Sequence, residues 1–202
     1  MRLIFILCIT LLCIGCADKR AGISAGIMSS AKYGDNDKKD VSIKNKSWGL
    51  EYITFDRRGA GRLGLEYRNI DGESDVLDNV KLYHSAEEIL GVIGYALHGE
   101  RIGSTSVVAK LFGGIGVNKF YFYNTYESRK SKQTEEKKLE EFEVNNYPYG
   151  WEVAAEILYE TPYLEFGMRG YESNYEIKYL NADIGKIKQD ISYFAKLGIK
   201  WR

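Results

Sequence analysis

Acid–base chemistry in this chain would fall first to four side chains near its C-terminal end, Glu152, Glu156, Glu165 and Arg169. Paired carboxylates can share proton-transfer work when their surroundings separate their proton affinities. All four alternate with apolar neighbours at a period of two, so on extended strands they would share one face. In a small barrel such a set neutralises itself and fills the interior, and this lumenal charge cluster is the reading the pattern favours. The histidines, His84 and His98, offer the other route. His84-Ser85 with Glu87 or Glu88 contains the residue types of a Ser–His–acid hydrolase. Adjacent residues on a strand face opposite sides, however, and Ser85 is better explained as a helix cap. No catalytic residue is assigned, and a lipid-modifying hydrolase stays the least favoured reading.

Other chemistries are excluded by composition. Two histidines are too few for a His-rich metal site. All three cysteines (Cys8, Cys13, Cys16) sit at the N-terminus, which removes disulfides, Cys-based metal sites and Cys nucleophiles from the remainder. Neither a metal nor a cofactor is expected. Gly113-Gly114-Ile115-Gly116 lacks the Lys-Ser/Thr and the βαβ context of a nucleotide loop, and close strand packing explains it more simply. With 28 basic and 28 acidic residues, nothing points to nucleic acid.

The cysteines belong to an export signal. Met1–Cys16 reads MRLIFILCITLLCIGC, with Arg2 followed by an uncharged apolar stretch from Leu3 to Ile14. That stretch, about 12 residues, suits a signal peptide and is too short to span a bilayer as a helix. Cys13-Ile14-Gly15-Cys16 resembles a lipobox, which makes Cys16 the lipid-attachment residue; the alternative is an ordinary cut after Ala17. By the sorting rule of lipoproteins, Ala17 rather than Asp after that cysteine implies transport to the outer membrane. The domain reading is a signal peptide over 1–15, a short tether over 16–21 and one β-barrel domain over 22–202.

Strands must position the charged residues. The 16 Tyr, 21 Gly and only 2 Pro form an all-β profile. Trp151, Val153, Ala155, Ile157 and Tyr159 alternate with Glu152, Ala154, Glu156, Leu158 and Glu160. Leu164, Phe166 and Met168 alternate with Glu165, Gly167 and Arg169. Tyr193, Ala195, Leu197, Ile199 and Trp201 alternate with Lys196, Gly198, Lys200 and Arg202, and Leu63, Leu65 and Tyr67 with Gly64, Glu66 and Arg68. Trp48, Leu50 and Tyr52 lead a similar run. Eight strands are predicted, near 21–33, 47–57, 60–70, 79–97, 104–126, 149–161, 163–180 and 188–202. Tight connections at 57–59, 98–103 and 161–162 alternate with longer polar ones at 34–46, 71–78, 128–146 and 181–188, as in outer-membrane barrels. Trp48, Tyr67, Tyr149, Trp151, Tyr159, Tyr163, Tyr179 and Trp201 lie near strand ends, where interfacial girdles form.

These patterns, with the closing strand Tyr193–Arg202, resemble the small bacterial outer-membrane β-barrels of the opacity-protein and OmpX-like class. That resemblance implies an eight-stranded antiparallel up-and-down barrel in the bacterial outer membrane. It also implies a structural or surface-interaction role, porin-like in wall but too narrow for a general pore, and no enzymatic activity. Its partners would be outer-membrane lipid, and lipopolysaccharide or external surfaces met through the 128–146 loop; a monomer is favoured.

Two alternatives stay open. Ser85–Gly99 (SAEEILGVIGYALHG) also reads as a short helix near 86–98, with a Ser85/Glu88 capping box and Gly99 as its C-terminal cap. A lipid-anchored, lipocalin-like soluble barrel binding an apolar ligand would share the strand pattern but turn it inside out. Trp151, Val153, Ile157 and Tyr159 face lipid in a membrane barrel and a cavity in a soluble one.

Overall fold

The computed structural model describes residues 19–33, 41–55, 60–77, 79–97, 105–127, 134–159, 161–179 and 182–201. The expected signal segment, Cys16, Ala17 and His98 lie outside them. Period-two alternation governs the described chain, and its elements are strands: β1 Lys19–Tyr33, β2 Val41–Phe55, β3 Gly61–Leu77, β4 Val80–Ala96, β5 Thr105–Glu127, β6 Thr134–Asn146, β7 Tyr149–Leu158, β8 Pro162–Tyr179 and β9 Ala182–Trp201.

All pairings are antiparallel, and they close on themselves. β1 pairs β2 on one side and β9 on the other, and β4 pairs both β3 and β5. β5 pairs β7, which pairs β8, which pairs β9. β6 and β7 lie end to end along β5, β6 on its Gly116–Glu127 half and β7 on Thr105–Gly113. They count as one staves-width of wall, so the ring is the eight-stranded up-and-down barrel that the alternation predicts. Between them Pro148 has no N–H for the β5 ladder, and only its carbonyl takes part, accepting from Gly114 N at 2.9 Å. Ring closure leaves no free edge along the lower wall among the described residues, which is what a strand wall needs in lipid.

The helix near 86–98 is not formed. Val80–Ala96 is strand throughout, with Ala86, Glu88, Leu90 and Val92 inward and Glu87, Ile89, Gly91 and Ile93 outward. A helix there would have satisfied its own backbone but opened the facing edges of β3 and β5. The strand pairs both of them, and its inward Leu90 and Val92 form a buried apolar cluster with Phe112 and Tyr171.

The 128–146 loop is also corrected. Thr134–Asn146 is a strand, paired with β5 and held by Phe142 stacked on Phe120 (5.2 Å) and Phe122 (5.8 Å). The 71–78 connection is likewise mostly strand, since β3 runs to Leu77, which pairs Val80. Asn79 takes a φ of 83°, the left-handed conformation such tight hairpin turns require and Asn tolerates. β9 already begins at Ala182, within the expected 181–188 loop. At this end of the barrel the polar connections are therefore strand arms that continue the wall.

A charged lumen inside an apolar wall

The direction of each strand face sets what the barrel can do. Outward, Trp48, Leu50, Ile93, Leu111, Ile115, Val153, Phe166, Met168, Leu197 and Ile199 are all exposed. On β7 the outward run from Tyr149 to Tyr159 spans roughly 25 Å at about 3.3 Å per residue and a tilt of about 40°, the height of a bilayer-facing belt. Exposed Lys46, Asp71, Glu87, Lys119 and Glu143 end the belt on the side of the strand arms. Trp151 marks the belt as well: its ring lies against Gly170, where a Cβ would come within 2.4 Å of Nε1. An exterior of this kind is unfavourable in water and favourable in hydrocarbon.

Inward, the described residues include six buried carboxylates (Glu51, Glu66, Glu88, Glu152, Glu156, Glu165) and five buried cations (Arg62, Arg68, Lys110, Arg169, Lys196). A soluble lipocalin-like barrel needs the reverse arrangement, an apolar cavity and a polar exterior, so that alternative is overturned by the orientation of Trp151, Val153, Ile157 and Tyr159 away from the lumen.

Burying eleven charges is tolerable only if each meets an opposite one. Lys196 Nζ from β9 lies 2.5 Å from Glu51, 3.2 Å from Glu152 and 3.3 Å from Glu66. Lys110 from β5 reaches Glu165 at 2.7 Å and Glu51 at 3.3 Å. Arg62 from β3 grips Glu156 with both terminal nitrogens, at 2.8 and 3.0 Å, and touches Glu165 at 3.4 Å. Arg169 contacts Glu152 and lies 2.9 Å from Glu66. Arg68 continues the network, 3.4 Å from both Glu66 and Glu88, its guanidinium over the rings of Phe112 and Tyr171. The Tyr171 hydroxyl bonds Glu88, and Asn146 donates to both, at 2.8 Å to Tyr171 and 3.2 Å to Glu88.

Glu152, Glu156, Glu165 and Arg169 thus all face the lumen, but they do not form one foursome. Arg169 takes Glu152, whereas Glu156 is held by Arg62 from β3, across the lumen, and Glu165 by Lys110 from β5, the strand beside β7. The partners absent from the sequence-derived cluster are Glu51, Glu66, Glu88, Arg62, Arg68, Lys110 and Lys196. The same alternation contains them: Glu66 and Arg68 flank outward Tyr67, and Lys196 falls between Ala195 and Leu197.

One triad has the composition of a cation site, since carboxylate oxygens of Glu51, Glu66 and Glu152 lie within 4.8 Å of one another. The Lys196 ammonium already touches all three and supplies the counter-charge there. Nor is a hydrolase assembled around the histidine. His84 faces inward, stacked on Phe120 at 4.8 Å, with Nε2 2.9 Å from Asn118 Oδ1 and Nδ1 3.4 Å from Asn45 Oδ1. Ser85 and Glu87 occupy the other face of β4.

No protein-family model matches the sequence, and no curated protein matches it either. Solved structures with a similar strand arrangement include the attachment invasion locus protein Ail of Yersinia pestis, at 12% identity over 91% of this chain and 99% of that one (TM-score 0.43). They also include neisserial surface protein A, 12% identical over 90% and 95% (TM-score 0.47). The N-terminal β-barrel domain of Pseudomonas aeruginosa OprF is 12% identical over 92% and 100% (TM-score 0.37). Identity of this size says nothing about a shared activity.

Proposed function

We propose that this chain is an integral barrel of the bacterial outer membrane, non-enzymatic, whose role is structural or surface-interacting. One observation carries the reading: the wall is apolar outside and its lumen is packed with paired charge, an arrangement at home in lipid and not in water. Ion pairs such as Arg62–Glu165 and Lys196–Glu66 cross the lumen, so it is filled by side chains and does not serve as a general pore. Because His84 and Ser85 face opposite sides, the residue types of a hydrolase are not assembled, which supports a non-enzymatic role. The strand arms above the belt, β6 among them, are the part that would meet lipopolysaccharide or external surfaces. Cys16 fits the same location as the site of a second, lipid anchor.

Expression of the full chain with and without Cys16→Ala, followed by carbonate and urea extraction of membranes, tests the reading. Both forms should stay in the membrane and migrate differently on a denaturing gel before and after boiling. Release of the Cys16→Ala form into the soluble fraction would overturn it, because the lipid would then be the only attachment.

A further inference from the structure

The outward apolar belt ends at the row Asp71–Ser85–Lys119, and His84 stands one step beyond it, opposite Gly72 on β3 and Phe120 on β5. Strand parity turns its ring inward, where it is buried and stacked on Phe120 at 4.8 Å, with 17° between the planes. Both ring nitrogens face side-chain oxygens. Nε2 lies 2.9 Å from Asn118 Oδ1 on β5, and Nδ1 lies 3.4 Å from Asn45 Oδ1 on β2. One imidazole thus joins β2, β4 and β5.

The proton count decides what this arrangement can be. A neutral imidazole has one N–H and one lone pair, so it donates to one oxygen only. Two facing oxygens suit the doubly protonated ring. Asn118 offers the alternative, because its amide nitrogen is buried and has no hydrogen-bond partner among the described residues. A half-turn of that amide exchanges oxygen for nitrogen in nearly the same volume. Asn118 Nδ2–H then donates to Nε2 and Nδ1–H donates to Asn45 Oδ1, so both ring nitrogens are satisfied without charge.

The surroundings favour that uncharged form. Burial pushes the pKa of the ring down to about 4, against the Asn118 bond and the charge of Asp71, which act to raise it. Among the described residues, Asn45 faces the ring from β2, Asn118 and Phe120 from β5, and Phe142 flanks Phe120 from β6. None of them is charged. The charged groups of this region are Asp71, turned outward on β3, Glu140, one inward step further up β6, and the pair Arg68–Glu88, two inward steps below.

We propose that His84, Asn45 and Asn118 form a proton switch for this end of the barrel. At neutral pH the ring is uncharged and the Asn118 amide nitrogen faces it. In acid, Nε2 takes a proton from solvent and the amide turns its oxygen back. A buried cation with no carboxylate in contact then loosens β2, β4 and β5 around it. The unfolded ring protonates near pH 6.5 and the folded one at about 4, so stability falls as pH drops from 6.5 and levels off below about 4. Only the external setting of the switch rests on the outer-membrane reading; its operation needs the fold alone.

Nitrogen-15 NMR of the full chain in lipid nanodiscs tests this, in a His98→Gln background that leaves His84 as the sole histidine. The ring should titrate at about pH 4, and the Asn118 side-chain amide should shift with the same midpoint. Exchange protection of the β4 and β5 amides around His84, corrected for intrinsic rates, should fall about a hundredfold between pH 7 and pH 4. His84→Gln should show no such fall. Asn118→Asp, which sets a carboxylate against Nε2, should raise the midpoint above 6.5 and remove most of the fall, and it keeps the test open should His84→Gln not fold. A ring that titrates near 6.5 in the unaltered site overturns the proposal. So does an Asn118 amide that does not follow the ring, and so does an equal loss of protection in His84→Gln. Heat-modifiable migration of the same samples reports insertion separately, so failure of the switch is distinguishable from failure of the membrane reading.

Discussion

Lys196 and Glu51 are separated by 145 positions in sequence, and their side chains meet at 2.5 Å inside the barrel. The same ammonium also holds Glu66 and Glu152. Replacing it with Met should destabilise the folded barrel by about 3–5 kcal/mol, the cost of leaving buried charge without its partner. Urea unfolding from lipid vesicles measures this. Lys196→Met combined with Glu51→Gln should recover part of the loss, since an excess carboxylate is then removed. A loss below about 1 kcal/mol, within the range of a solvated ion pair, would show that the lumen is wet.

Polarity reversal on the wall separates lipid-facing from lumen-facing positions. Val153→Arg places a charge in the apolar belt and should cost about 2–4 kcal/mol in a bilayer. Glu143→Arg, above the belt, should cost under about 1 kcal/mol, limited to its exposed pair with Lys119. Equal costs at the two positions would contradict the placement of the belt.

Trp151 rests on Gly170, and a Cβ built there would collide with its indole ring. In a Trp48→Phe, Trp201→Phe background, Gly170→Leu should displace the ring and shift its emission maximum and its quenching by brominated lipid. Unchanged spectra would mean that the ring does not lie on the glycine.

The Asn79 backbone is left-handed. Asn79→Gly should leave stability within about 0.5 kcal/mol, whereas Asn79→Val should lose roughly 1–3 kcal/mol, because a β-branched residue pays the full steric cost of positive φ. Thermal unfolding of the two variants distinguishes these outcomes.

Mass spectrometry of the mature chain tests its N-terminus. The expected product begins at an acylated Cys16, and Cys16→Ala should abolish incorporation of labelled palmitate. A product beginning at Asp18 would establish cleavage after Ala17 instead.

What the amino-acid sequence determined by itself was the wall. Period-two alternation, scarce proline and the spacing of turn residues carry strand identity locally, because side-chain direction on a strand depends on parity alone. Trp151–Tyr159 and Tyr193–Trp201 therefore announce their faces without any knowledge of neighbours. Ser85–Gly99 does not. Its apolar residues satisfy helical and extended periods alike, and only the facing edges of β3 and β5 decided for the strand. Thr134–Asn146 was similarly opaque, since a strand with polar side chains on most of both faces has no apolar rhythm, and its partners on β5 alone hold it extended. Which way the faces point, outward to lipid or inward to a cavity, is equally a tertiary outcome. So is the pairing of the lumenal charges: alternation places Glu156 and Lys196 inside, but closure of the ring decides that Glu156 meets Arg62 and that Lys196 meets Glu51.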